Sequence, residues 1–358
     1  GTENGIYVSY DDGTSWSSFQ KNLPIVPITD LTIKNNSLIV ATQGRSLWVL
    51  DDLTVLHQLQ PNNRNAQTLL FKPKESYRTK GRGGKSSLTA GTNLPNGVIV
   101  HYFLKNYDAK KDTVELQFQS NDGAVIKTYS TKDKKNKLEV KAGGNEFVWN
   151  TRYDGAEKLD GMIFWSASFS GAKAVPGSYN VRLVVNGKEH MQDFTILPDP
   201  RSESSVADMQ KQFDFVNDVN QTVDKAHKAI KNIREIRTKL KDFTKQNKTD
   251  STATQLVNQA KTIQDDLLEV EKTLYQTQNR SNQDPLNFPI RLTNKLGHLN
   301  RLLTIDDFPP TNQDIAVKEE LTAAIKMAMK QYQTIIDSDV ASFNELFKKE
   351  KRNYLGTE

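Results

Sequence analysis

Over its first two hundred residues the chain alternates apolar and polar positions in short runs, and beyond residue 205 the period lengthens to three or four. Alternation sends successive side chains to opposite faces of a strand, whereas steps of three and four line one face of a helix. Gly5-Ile6-Tyr7-Val8-Ser9 predicts a short strand, and Asp12-Gly13 a tight hairpin after it. Ile28–Ile33, Ser37–Thr42 and Ser46–Leu50 predict three more strands, separated by Asn35-Asn36 and Gln43-Gly44. Short strands at this spacing suggest the meander repeated around a β-propeller. A blade has four strands and needs a neighbour on each face, so residues 1–58 make little more than one blade. Gly1 stands where an initiator Met would be, and no leader follows. The expectation is a C-terminal piece of a longer protein, cut inside a propeller.

Residues 59–95 carry Pro61, Pro73, Gly81, Gly83, Gly84, Gly91 and Pro95, with little periodicity after Phe71, and predict a linker. Residues 96–198 return to period two. Val98–Leu104, Thr113–Gln119, Val125–Tyr129, Lys137–Val140, Glu146–Thr151, Ser178–Val185 and Glu189–Leu197 predict about seven strands, with Asp122-Gly123 and Asn186-Gly187 as turns. That pattern predicts an immunoglobulin-like β-sandwich, ended by Pro198 and Pro200. Residues 203–352 predict four amphipathic helices. Val206, Met209, Phe213 and Val216 open the first, and Leu256, Ile263, Val270 and Leu274 mark the second. Leu292, Leu296, Leu299 and Leu303 mark a short third. Thr311 with Asp314 resembles a capping box before a long fourth that runs to Phe347. Short turns between such helices predict an antiparallel four-helix bundle. The expected fold class is therefore multidomain β + α.

Composition adds exclusions. The 358 residues include no cysteine, which excludes disulfides, thiolate metal sites and a cysteine nucleophile. No run approaches the ~18–20 apolar residues of a membrane span. Net charge is +5 at pH 7, and Lys72, Lys74, Arg78, Lys80, Arg82 and Lys85 against Glu75 account for all of it. The excess belongs to the linker, where it predicts a solvated connector rather than a nucleic-acid partner.

One motif is specific. Ser9-Tyr10-Asp11-Asp12-Gly13-Thr14-Ser15-Trp16 matches every defined position of S-x-D-x-G-x-[ST]-W. A carboxylate in that turn can accept bonds from the turn's own N–H groups, Gly tolerates positive φ, and Trp can cover the turn. The pattern is the Asp-box of bacterial neuraminidase repeats (BNR), and the chain resembles the exported bacterial sortilin-like Asp-box β-propeller proteins, often labelled glycosyl hydrolases. Ala41-Thr42-Gln43-Gly44-Arg45-Ser46-Leu47-Trp48-Val49-Leu50-Asp51-Asp52 looks like their last propeller strands, with Gln43 in place of the usual His. Phe147-Val148-Trp149-Asn150-Thr151-Arg152-Tyr153, Gly161–Trp165 and Pro176–Tyr179 look like the module that follows, and Leu286–Leu292 like the helical tail. The resemblance implies that Ser9, Asp11, Gly13, Ser15 and Trp16 form a folding element on a propeller's periphery. It also implies an exported location.

Catalytic patterns are sparse. A glycosidase needs two carboxylates facing each other ~5–9.5 Å apart. Asp11/Asp12, Asp51/Asp52, Asp265/Asp266, Asp306/Asp307 and Glu319/Glu320 are sequential doublets whose members diverge. His57, His101, His190, His227 and His298 lack metal-ligand spacing, and His101 and His227 predict half-buried structural residues. Thr79-Lys80-Gly81-Arg82-Gly83-Gly84-Lys85-Ser86 ends like a phosphate loop, yet Thr79 replaces the first Gly and no helical pattern follows. Neither a cofactor nor a metal is expected. On the first long helix Lys225, Lys228, Lys231, Arg234, Arg237, Lys241, Lys245 and Lys248 form a basic stripe. Lys231, Arg234 and Arg237 are its candidates for contacting an anionic ligand. The competing reading is internal: Lys231 and Arg234 beside Asp265 and Asp266, and Lys228 beside Glu269.

The function expected is an accessory, non-catalytic region that binds a glycan or protein, its nearest partner being the rest of its own propeller. The alternative is part of a glycoside hydrolase or other hydrolase with catalytic residues upstream. Peptide binding, as in eukaryotic sortilins, is a third reading by fold analogy.

Overall fold

The alternating runs become strands in the computed structural model, which describes residues 1–60, 62–63, 65–79 and 93–350. The fold is mixed β and α, in two units. One comprises Gly1–Thr151 and Ala174–Arg201; the other comprises Arg152–Lys173 and the chain from Ser202 onward.

In the first unit β1 (Tyr7–Val8) pairs with β2 (Ser17–Ser18) across the Asp12-Gly13 turn. The next three strands, β3 (Ile28–Lys34), β4 (Ser37–Thr42) and β5 (Leu47–Leu50), form an antiparallel meander. A short helix α1 (Thr54–Gln58) follows. The segment expected to be a linker contains two strands, β6 (Thr68–Leu70) and β7 (Ser76–Arg78). They extend sheets built mainly from β8 (Val98–Leu104), β9 (Val114–Ser120), β10 (Val125–Ser130), β11 (Gly143–Trp149), β12 (Gly177–Val185) and β13 (Lys188–Pro198). One sheet has the order β10-β9-β12-β13-β7 and the other β11-β8-β6. β7 lies parallel to β13, and the other pairs are antiparallel. Two short strands of long-range partnership carry almost no local signal, which is why this stretch reads as a connector.

Alternation does the work in these sheets. Val98, Val100, Tyr102 and Leu104 of β8 are buried while the residues between them are partly exposed. Phe118 of β9 stacks on Trp149 of β11 at 4.5 Å, and Phe194 of β13 meets the same indole edge-on at 6.2 Å. Side chains from the two sheets thus share one core, each fully buried aliphatic contributing roughly 1.5–3 kcal/mol. Asn186 and Gly187 both take positive φ at the β12–β13 hairpin, as a two-residue turn of this hand requires. Lys137–Val140 is not a strand. Ser130 bridges Lys137 singly, and the Leu138 N–H goes to the Ser130 carbonyl at 3.0 Å, so no ladder develops. Arg78, counted above among the charges of a solvated connector, is 1% exposed and donates from Nε to the Ala174 carbonyl at 3.0 Å. Lys80, Arg82 and Lys85, with the loop Lys80–Ser86, lie outside the described residues.

In the second unit α2 (Val206–Gln246) starts at a capping box of Ser205 and Asp208. The helix α3 (Thr254–Leu274) returns against it, followed by α4 (Leu292–Leu303). The capping box anticipated at Thr311 and Asp314 opens α5 (Asn312–Thr334). A π-turn segment, Ile335–Val340, carries the same rod into α6 (Ala341–Lys349). Val223, Ile230 and Ile233 of α2 pack with Leu256, Ile263 and Leu267 of α3, Leu296 and Leu299 of α4, and Leu321 and Ile325 of α5. The apolar stripe of each helix accounts for that core. A third component comes from elsewhere in the chain. Residues 152–173, between β11 and β12, add Met162 and Ala172 to the helical core, with Phe164 and Phe169 against it.

Candidate functional site

The Asp-box residues build a closed hydrogen-bonded turn. Ser9 Oγ donates to Asp11 Oδ1 at 2.9 Å and accepts the Gly13 N–H at 2.8 Å. Asp11 Oδ1 accepts the Ser15 N–H at 2.8 Å, and Oδ2 accepts the Ser15 hydroxyl at 2.5 Å. Trp16 Nε1 donates to the Gly13 carbonyl at 3.1 Å, laying the indole across the turn. Asp12 and Gly13 both have positive φ, which the glycine tolerates without a Cβ conflict. The bonds from the Ser15 hydroxyl, the Ser15 N–H and Ser9 hold the Asp11 carboxyl down at about 2. Both oxygens of this carboxylate are engaged by its own turn, as a structural anion would be. Trp16 itself is 64% exposed.

Beside this turn stands the feature of the first unit that most needs an explanation. In the β3-β4-β5 register, Leu31 pairs with Val40 and Val40 with Trp48, while Ile33 pairs with Leu38 and Leu38 with Leu50. Cross-strand partners share a face, so these six line one side. Ile39 with Val49, and Ala41 with Leu47, line the other. The first face is apolar on all three strands; the second is apolar on β4 and β5 only, its β3 positions being Asp30, Thr32 and Lys34. On the first face Val40 is buried and Leu38, Trp48 and Leu50 are half-buried, but Ile33 is 62% exposed; on the second, Leu47 is 68% and Val49 54% exposed. Single exposed apolar residues are ordinary, but Ile33, Leu47 and Val49 stand exposed on the two faces of one three-stranded sheet.

In the second unit polar side chains clamp the main chain of the 152–173 strap. Asn294 accepts the Trp165 N–H on Oδ1 and donates to the Trp165 carbonyl from Nδ2, both at 2.8 Å. Asn220 donates to the Ser170 carbonyl at 2.9 Å, and Asn300 to that of Ser168 at 3.1 Å. The Ser168 N–H reaches the Gly297 carbonyl at 2.8 Å. Tyr275 Oη accepts the Ile163 N–H at 2.9 Å, and His298 Nδ1 lies 2.9 Å from the Ser166 carbonyl. A Cβ on Gly297 would come within 2.6 Å of the Phe169 ring, so glycine lets the strap lie flat on α4. The sequence held one unread signal for this seat: Asn294, Gly297 and Asn300 recur every three residues on one face of an otherwise leucine-lined helix.

The basic stripe resolves differently from the internal pairing expected. Arg234 and Arg237 both engage Glu271, at 2.7 Å and 3.1 Å, and not Asp265 or Asp266. Lys228 pairs with Asp224 one turn back at 2.7 Å rather than with Glu269, which holds Lys272 at 2.7 Å. Arg234 also lies over the Tyr275 ring at 5.5 Å. Glu271 faces inward because α2 and α3 meet along their apolar stripes, and its side chain is only 4% exposed. Two of the three residues considered for an anionic ligand are thus committed within the unit; Lys231 is exposed. His227, expected to be half-buried, is 0% exposed. Asp52, from a carboxylate doublet, accepts the Thr54 N–H at 3.0 Å, just ahead of α1. Among the described residues no three His, Asp or Glu side chains gather as a metal site, and no helix is long and apolar enough to cross a membrane.

No protein-family model matches the chain, and no curated protein matches it. Among solved structures, one titled "pT26-6p" aligns at 9% identity over 66% of this chain, with a TM-score of 0.12. The chain spans 46% of that protein's length, and a likeness of this degree carries no structural argument.

Proposed function

We propose that residues 1–58 supply part of an Asp-box β-propeller and that the remaining residues are its accessory region, acting in binding rather than catalysis. One observation carries this reading: β4 and β5 are apolar on both faces, and exposed apolar side chains stand on each, Ile33 on one and Leu47 and Val49 on the other. A propeller blade is the architecture in which a small sheet buries both faces, against a blade on each side. On a four-strand count, β1 and β2 belong to one blade and β3–β5 to the next, leaving two strands and one strand to come from elsewhere. The engaged carboxylate of Asp11 supports the same reading, since the turn works as a folding element. The second module is read as an immunoglobulin-like sandwich, supported by the buried Trp149 and by the Tyr179 hydroxyl, which donates to the Val175 carbonyl four residues upstream at 2.6 Å. The helices are read as an antiparallel four-helix bundle, and the whole as exported. A hydrolase activity of a longer protein would need carboxylates from outside this chain. The ligand class favoured is a glycan or a protein.

Hydrogen exchange on this chain and on a longer protein containing it tests the reading. Amides of Ser37–Leu50 should exchange fast in the former and become strongly protected in the latter. Equal protection in both would reject the propeller assignment.

A further inference from the structure

His227 sits where α2 meets the strap, and its two ring nitrogens have opposite circumstances. Nδ1 is hydrogen-bonded to the Glu157 carbonyl, which can only accept, so Nδ1 carries the proton of the neutral ring. Nε2 is buried and has no partner. The ring lies 5.6 Å from Phe164 and 5.4 Å from Phe169, the two strap aromatics that rest on the helical core. A proton added at Nε2 would place a cation and an unanswered N–H donor between two phenyl rings.

The charged neighbours relieve this only in part, the carboxylates of Asp224 and Glu157 favouring the protonated ring and Arg234 opposing it. On α2, Asp224 is engaged by Lys228 at 2.7 Å and by the Glu157 N–H at 3.2 Å, while Arg234, directed to Glu271 of α3, adds positive field. On the strap, Glu157 presents its carbonyl, and Lys158 lies over the Phe164 ring at 5.9 Å. On α3, Tyr275 packs on Phe164 at 5.6 Å with its hydroxyl accepting the Ile163 N–H. On α4, His298 faces the Ser166 carbonyl. Burial pushes the His227 imidazolium below the ordinary histidine range, with the Glu157 bond and Asp224 opposing it less strongly.

We propose that His227 is an acid-released latch for the 152–173 strap: neutral, it seats Phe164 and Phe169; protonated, it ejects them and frees the strap from α2. The sign follows from proton uptake. The seated ring resists a proton that the released ring accepts at its ordinary value of 6.5, so release is favoured as pH falls below that value. Each further unit of pH shifts the seated-to-released ratio by about tenfold until the seated ring itself titrates.

The test is hydrogen exchange on the whole chain at pH 7.5 and pH 5.0, corrected for intrinsic rates, with the His227 ring followed by NMR. The amides of Ile163, Trp165 and Ser168 should lose protection on acidification while those in the centres of α2 and α3 keep theirs. In His227→Phe the strap should exchange equally at both pH values, whatever its baseline. His298→Gln should retain the wild-type pH dependence, which separates the two strap histidines. An equally large acid response in His227→Phe would overturn the proposal. So would wild-type His227 titrating in the ordinary range with strap protection unchanged, a result that does not depend on any variant folding.

Discussion

Asp11 and Glu271 are both carboxylates in closed sets of bonds, yet the medium around each makes their contributions different. Asp11 lies in water, and its low pKa records three donors from Ser9 and Ser15 rather than burial. A depressed carboxyl stabilises the folded turn above its unfolded value of 3.8, and that stabilisation disappears as pH falls toward about 2. The Ser15 amide should therefore become faster exchanging, relative to intrinsic rates, across that window, and Asp11→Asn should show no such step. Glu271 is nearly inaccessible and answers two guanidinium groups that are about one third exposed. Replacing it by Ala leaves both arginines without their anion in a dry setting. The expected loss is about 2 kcal/mol, below the full value for a buried pair because the arginines can rehydrate. Urea unfolding would register it as a lower midpoint. Lys231→Glu, on the exposed side of the same helix, should change stability by less than about 0.5 kcal/mol.

At the scale of elements, the strap is the least regular segment of the second unit and depends on side chains rather than a ladder. Main-chain groups without secondary-structure partners must find others, and Asn294 answers both groups of Trp165 in the way a neighbouring strand would. Asn294→Ala leaves those two groups short of partners and should cost about 1–3 kcal/mol. It should also speed exchange at Trp165 more than at Leu267 in the middle of α3. Much of the strands and helices is legible: the three-strand meander, the hairpin at Asn186-Gly187 and the start of α5 follow from alternation, turn residues and capping, whereas the π segment that divides the long fourth helix at Ile335 carries no such signal. Lys137–Val140 failed because four alternating residues fit a strand pattern whether or not a partner lies alongside. Thr68–Leu70 and Ser76–Arg78 failed in the opposite direction, three residues being too few to show a period although partners exist.

For the whole molecule, the decisive property is the exposed apolar area that Ile33 leaves on one face of the β3-β4-β5 sheet and Leu47 and Val49 on the other. An exposed sheet of this kind promotes association, since its edge strand β5 also presents unpaired main-chain groups. Leu47→Glu with Val49→Glu should reduce dye binding and self-association of this chain, with little change in the unfolding of the helical unit. Unchanged association would place the sticky surface elsewhere. If the proposed propeller reading holds, the same pair in a longer protein should instead prevent the ring from closing.

Local order was decided by residues close together in the chain: the Asp-box turn, the capping boxes, the period of each helix and the alternation of β8 and β9. Those features need only neighbours within a few positions, and the physics that produces them can be read from spacing. Tertiary structure alone decided that Glu271 takes Arg234 and Arg237, that Arg78 is buried, and that residues 152–173 belong with the helices. Each depends on which groups meet across tens or hundreds of residues, and a carboxylate, a guanidinium or an irregular strap looks the same in sequence whoever its partner is. His227 shows the limit most plainly. Its isolation in sequence made it an ordinary histidine, and only its burial beside Phe164 and Phe169, with Nε2 left unpartnered, made it a group that resists protonation.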